Sequence, residues 1–185
     1  MHIAPTLPAL KPLSPPSPGV SGAHAALPAV PTAAVAAPQA AAFNAIFNFP
    51  TLVSGTAFKI VSGSTANGLG IGGNARLDEI TPTSAKVWIK AGKFGFNKEA
   101  NLSIAQSSPT TAAISATEPG KAPIVGSANI VDVRQNYSKF TSADPNINGG
   151  AELQVNERGQ FIVDVKGDGA GIFSNVDLHL ILEKI

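Results

Sequence analysis

The chain has 185 residues, with 13 basic and 12 acidic side chains, a formal net charge of +1 and no cysteine. So even a balance offers no concentrated positive charge for neutralising phosphates and argues against a nucleic-acid partner; the missing thiols exclude disulfides, thiolate metal sites and cysteine catalysis. No apolar run approaches the roughly 20 residues that a transmembrane helix needs.

Residues 1–37 read as a Pro/Ala-rich tether. Nine of the 15 prolines fall between Pro5 and Pro38, and Lys11 carries the one formal charge before Phe43. Proline brings no N–H to a helix or sheet, so a run such as Pro12-Leu13-Ser14-Pro15-Pro16-Ser17-Pro18 favours extended polyproline conformations. The expectation is a disordered, semi-rigid linker. It has neither the basic start nor the unbroken apolar stretch of a secretory signal. A linker of this kind would suit the start of an exported or surface-exposed protein, which tilts the expected location slightly towards the outside of the cytoplasm.

Residues 38–49 predict a short amphipathic helix. Pro38 stands at a favourable first helical position, three alanines follow, and Phe43, Ile46 and Phe47 share a face at i, i+3, i+4 spacing. So short a helix is unstable alone and is expected to dock its aromatic face on the rest of the chain.

Residues 50–185 predict a single antiparallel β domain, because the dominant period becomes two. Phe58 and Ile60 alternate with Ala57, Lys59 and Val61. Val87, Ile89 and Ala91 alternate with Lys86, Trp88 and Lys90, and Val131 and Val133 with Asp132 and Arg134. Phe161, Val163 and Val165 share one face, as do Val176, Leu178, Leu180 and Leu182. Such one-sided burial belongs to antiparallel sheets. Thr81-Pro82-Thr83-Ser84 reads as a turn, and Asn156-Glu157-Arg158-Gly159 as a hairpin connection closing at glycine. The fold class expected is all-β, an antiparallel β-sandwich of six to nine strands, with a small β-barrel as the alternative.

The segment Ile80-Thr81-Pro82-Thr83-Ser84-Ala85-Lys86-Val87-Trp88 resembles the opening strand of fibronectin-type or immunoglobulin-like sandwiches, where a Pro-Thr-Ser turn leads to a buried tryptophan. The resemblance covers nine residues and implies a sandwich rather than a barrel. Trp88 departs from it, falling on the face that carries Lys86 and Lys90.

Motifs with chemical content are few. Gly68-Leu69-Gly70-Ile71-Gly72-Gly73 satisfies G-x-G-x-x-G, but a dinucleotide site needs a helix after it to hold the pyrophosphate, and the following segment is short, charged and ends at Pro82. Asp144-Pro145-Asn146-Ile147-Asn148-Gly149 matches the first half of a calcium loop, with Asp144, Asn146, Asn148, the Gly150 carbonyl and Glu152 as candidate ligands. Val155 stands where a bidentate carboxylate should close the shell, so an Asx-rich turn is the competing reading, and any calcium binding is expected to be weak. Otherwise no cofactor is expected. His179 is the one histidine of the β region and lies on the polar face of its strand. No Gly-x-Ser-x-Gly elbow presents a serine, so no catalytic residue is assigned. Trp88 and Tyr137 combine aromatic area with a polar handle and are the candidate ligand-binding residues.

The function expected from these features is a non-enzymatic binding or adhesion module on a tether, because recognition usually resides in loops carried by a rigid scaffold. Two other roles stay open. One is a structural subunit or homo-oligomer joined through an exposed edge strand such as Leu178-His179-Leu180-Ile181-Leu182. The other is a barrel-like carrier of a small apolar ligand. The partner is accordingly a protein, a glycan or a small apolar molecule.

Overall fold

The computed structural model describes residues 44–93 and 96–185. The predicted tether and the first part of the predicted helix lie outside the described residues.

The strands are β1 (Thr56–Ile60), β2 (Thr65–Ala66), β3 (Leu69–Gly70), β4 (Gly72–Ile80), β5 (Ser84–Lys93), β6 (Phe96–Gln106), β7 (Thr111–Thr117), β8 (Ile124–Arg134), β9 (Tyr137–Ser142), β10 (Gly149–Val155), β11 (Phe161–Gly167) and β12 (Val176–Lys184). A single 3-10 turn, Gly171–Phe173, interrupts the pattern between β11 and β12. From β4 to β12 each strand pairs antiparallel with the next in the chain, and β1 lies beside β4. The circuit closes where β12 meets β1, with Phe58 opposite Lys184, Lys59 opposite Glu183 and Ile60 opposite Leu182. The result is a closed antiparallel barrel of ten strands. With an even number of alternating strands, first and last run in opposite directions and can close the circuit with an antiparallel ladder. β2 and β3 form a small ribbon attached to β12 at Leu178 and His179.

The barrel corrects three expectations. The molecule takes the alternative fold: local alternation is the same in a sandwich and a barrel, and the pairing of β1 with β12 decides between them. The strand expected to offer an apolar edge, β12, is paired on both sides, to β11 and to β1. The Ile80–Trp88 segment, whose resemblance implied a sandwich, is the tail of β4, a turn and the start of β5 of the barrel, and Trp88 shares the outer face with Lys86 and Lys90 as its place in the alternation indicated.

The turn at Thr81–Ser84 is held by the Thr81 hydroxyl, which accepts the backbone N–H groups of Thr83 and Ser84 at 3.2 and 2.9 Å. The hairpin at residues 156–160 forms as expected, with the Asn156 side chain accepting the N–H of Arg158 and of Gln160, each at 3.0 Å. Two glycines let strands begin against their neighbours. Gly73 and Gly149 sit at φ +143° and +142°, and a Cβ on either would run into the carbonyl of Lys90 or Lys166 on the facing strand. β8 carries a bulge between Ile130 and Asp132. Because one extra residue reverses the parity of a strand, Val131 is 53% exposed, whereas the sequence pattern had placed it on the same face as Val133.

Inward positions are apolar: Phe58 and Ile60, Ala75 and Leu77, Ala112 and Ala116, Phe140, Leu153, Phe161, Leu180 and Leu182 are all buried. Outward positions carry Lys59, Arg76, Lys86, Lys90, Asp164, Lys166, His179 and Glu183. This alternation is the reverse of a lipid-spanning barrel, whose outer band is apolar.

One end of the barrel is closed by residues 44–52. The predicted helix is not formed over its described part: residues 44–49 are irregular with a bend at Ile46, and the N–H groups of Ile46 and Phe47 both go to the Pro82 carbonyl, at 2.7 and 3.1 Å. The expected docking does occur, but through Ile46, Phe47, Phe49 and Leu52, each no more than 5% exposed. An irregular segment can bury neighbouring residues in a cylindrical opening, where a helix would present one stripe. The fully buried Ser138 hydroxyl donates to the Ile46 carbonyl at 2.7 Å, and Asn136 N–H to the Asn48 carbonyl at 2.7 Å. Phe49 meets Phe161 edge to face at 5.7 Å, a favoured aromatic geometry.

Candidate functional site

Barrel diameter grows with strand number, and eight strands already give an interior that side chains just fill. Ten strands enclose more space, and this chain spends small and branched residues on its lining. The Phe47, Phe49 and Leu52 side chains fill one end only. Above them remains a cavity of about 110 Å³, walled by Val87, Ile89, Leu102, Ile104, Ile114 and Val163 among others, and every lining side chain is apolar. Such a space disfavours water, which needs two to four polar partners, and accepts apolar molecules.

Ile89 and Leu102 also line a second, separate space of about 300 Å³, bordered by residues of β5, β6 and β12 and by residues 171–176. Its wall changes character towards the rim, where Asn67, Lys98, Glu99, Ser174 and Asn175 join it. Glu118, at the end of β7, is nearly buried with 10% of its side chain exposed, and lies 2.7 Å from Lys121 and 3.7 Å from Lys98. The hydrogen bond from Lys121, followed by the attraction of both lysines, holds its carboxyl below the ordinary glutamate range against the cost of burial.

The residues singled out from sequence lie elsewhere. Trp88 is on the outer face; its Nε1 donates to Glu99 at 3.0 Å and the Arg76 guanidinium lies 5.6 Å from its ring centre. Tyr137 is also outside, with Arg134 at 4.5 Å over its ring and its hydroxyl donating to Glu152 at 3.0 Å. Burial, then that bond to a carboxylate, raises the Tyr137 pKa. Glu152 is held below its usual range, first by Lys139 at 2.6 Å and then by Tyr137. These are cross-strand pairs that stitch the outer surface.

Glu152 is therefore committed to the outside of β10, while Asp144 sits in the loop before that strand. The Asp144 carboxylate accepts the N–H of Asn146 at 2.9 Å and of Ser127 at 3.1 Å, which is Asx-turn geometry. The carbonyls of Asn146 and Asn148 accept the N–H groups of Ala170 and Asp168, and Gly150 lies within β10. Among the described residues no group of three or more His, Asp or Glu is placed to hold a metal. His179 bonds Asp164 through Nδ1 at 2.6 Å on the outer face. The glycine run at residues 68–73 supplies β3 and the start of β4, with no helix after it.

Sequence reasoning missed the cavity because its lining is written as ordinary core. The signal present was the weight of small residues, Ala85, Ala91, Ala100, Ala112, Ala116, Ala128 and Ala151, at inward positions. Alanines in a wide barrel leave volume that larger side chains would take. Compared with protein-family models, with curated proteins and with solved structures, the chain has no match.

Proposed function

We propose that this protein is a non-catalytic carrier or receptor for a small apolar molecule held inside the barrel. The observation that supports the reading is the cavity of about 110 Å³ with a wholly apolar wall. That wall offers no acid, base or nucleophile to a guest, so the chemistry available to it is binding and release. Affinity would come from removing apolar surface from water and from dispersion contacts that an empty space forfeits. Selectivity would come from size and shape, the property that apolar walls discriminate, though only by one or two methylenes at a time.

The test is calorimetric titration of the full chain with benzene, a neutral apolar molecule of a size suited to such a space. Saturable binding with one site per chain is expected. Ile114→Trp puts an indole into the cavity and should weaken uptake at least tenfold while the far-ultraviolet circular dichroism of the barrel persists. No uptake by the wild type, or equal uptake by the filled variant, overturns the reading.

A further inference from the structure

We infer that Phe173 is the gate of the apolar cavity, carried on a strap that crosses the mouth of the barrel, and that a guest enters and leaves when the strap lifts. The inference rests on the cavity reading above and adds the residue that controls access. Its first ground is the register of β11 and β12. Phe161 faces Leu182 at the floor, where it also meets the Phe49 ring, and Gly167 faces Val176 at the far end of the same ladder. The connection 168–175 therefore lies at the mouth, with its 3-10 turn at Gly171–Phe173. It reaches over the opening. A Cβ on Gly171 would stand 2.3 Å from Ile124 Cδ1 at the start of β8, and Gly171 and Ile172 border the separate space that Ala91 of β5 and Ala100 of β6 also line.

Of the residues of this strap, Phe173 is the one that lines the apolar cavity, beside Ile114, Val163 and Val165. It is only partly buried, and it also lines a space of about 50 Å³ whose wall includes the exposed Thr141, Asn148 and Lys166. One ring thus stands between the cavity and the surface. The strap is pinned at its ends. The N–H groups of Asp168 and Ala170 go to the carbonyls of Asn148 and Asn146, at 2.9 and 2.8 Å. At the other end the Asn67 side chain, from the turn between β2 and β3, donates to the Asn175 carbonyl at 3.0 Å and accepts the Asp177 N–H at 2.7 Å. Between these anchors, among the described residues, the hydrogen bonds of residues 171–174 stay within residues 169–174. A segment with its own internal bonds and few to its surroundings can open as a unit at low cost. Covering the Phe173 ring keeps it down, and Asn67 is its latch.

The experiment is fluorine-19 exchange NMR of the full chain with fluorobenzene, an apolar probe of benzene's size, reading association and dissociation rates. Phe173→Ala removes the plug and is expected to raise the association rate about tenfold or more, because opening of a closed segment limits exchange. Asn67→Gly deletes the latch without touching the cavity wall, and glycine suits the left-handed backbone there, at φ +48°. It is expected to raise both rates by a smaller common factor and leave Kd nearly unchanged. Val163→Ala enlarges the cavity away from the strap and is expected to leave the association rate as it is. An association rate unmoved by Phe173→Ala or by Asn67→Gly, or raised as much by Val163→Ala, overturns the gate while the cavity reading stands. Binding of fluorobenzene to none of these proteins overturns both.

Discussion

The two ends of the barrel are built from opposite materials. At the closed end, Ile46, Phe47, Phe49 and Leu52 are inserted between the strands with 1–5% exposure, and buried or turn-borne donors on Ser138 and Asn136 hold their backbone. At the open end the rim carries Asn67, Lys98, Glu99, Ser174 and Asn175 and one short 3-10 turn in which no residue is buried. Stability concentrates where apolar surface is covered and backbone groups are paired; regions with few buried apolar contacts open first. The barrel therefore has a packed floor and a polar, loosely covered opposite end.

The comparison can be broken most severely through the wall on which both ends depend. Leu180 on β12 is 0% exposed, and Leu180→Lys would bury an unpaired ammonium. A loss of more than about 4 kcal/mol is expected, seen as loss of the barrel's cooperative thermal transition; retention of the transition would mean that β12 is not locked between β1 and β11.

A smaller effect separates the ends directly. Phe47→Ala at the floor should cost about 3–5 kcal/mol by removing a buried ring and leaving a hole. Ile172→Ala over the mouth should cost less than about 1.5 kcal/mol, since that side chain is only partly buried. Urea unfolding of the two variants measures both, and equal losses would show that floor and mouth are equally tight.

The smallest effect is electrostatic. Glu118 has a lowered pKa in the folded chain, so its stabilisation is fully present above the unfolded value of about 4.3 and is lost as pH falls through the lower folded value. Between pH 5 and pH 3 the wild type should therefore lose more stability than Glu118→Gln does, by about 1 kcal/mol or less given how exposed the two lysines are. Parallel acid titrations followed by fluorescence would show identical profiles if the Lys121 and Lys98 contacts contribute nothing.

Much of the fold was legible in local pattern. Alternation in β5, β11 and β12 gave the inward rows correctly, and the turns at Thr81–Ser84 and Asn156–Gly159 lie where proline, asparagine and glycine put them. Local pattern failed where parity or context intervened. The bulge at Ile130 turns Val131 outward, and no residue type announces it. The i, i+3, i+4 spacing at Phe43, Ile46 and Phe47 suggested a helix, but the Pro82 carbonyl captures the two N–H groups that a helix would have used. The candidate site was the least legible part. Trp88 and Tyr137 drew attention as aromatics with polar handles, yet both are outside, stacked under arginines, while the cavity is lined by residues that look like any core.

What the sequence determined alone is which side of each strand is apolar, because a period of two is a property of neighbouring residues. What only the tertiary structure decided is that these faces close into a ring. That depends on Phe58 meeting Lys184 and Ile60 meeting Leu182, contacts between opposite ends of the folded region whose loop-closure entropy is repaid only when all ten strands are in place. The empty interior is likewise a consequence of closure: the number of strands sets the diameter, and the inward alanines then leave space unfilled.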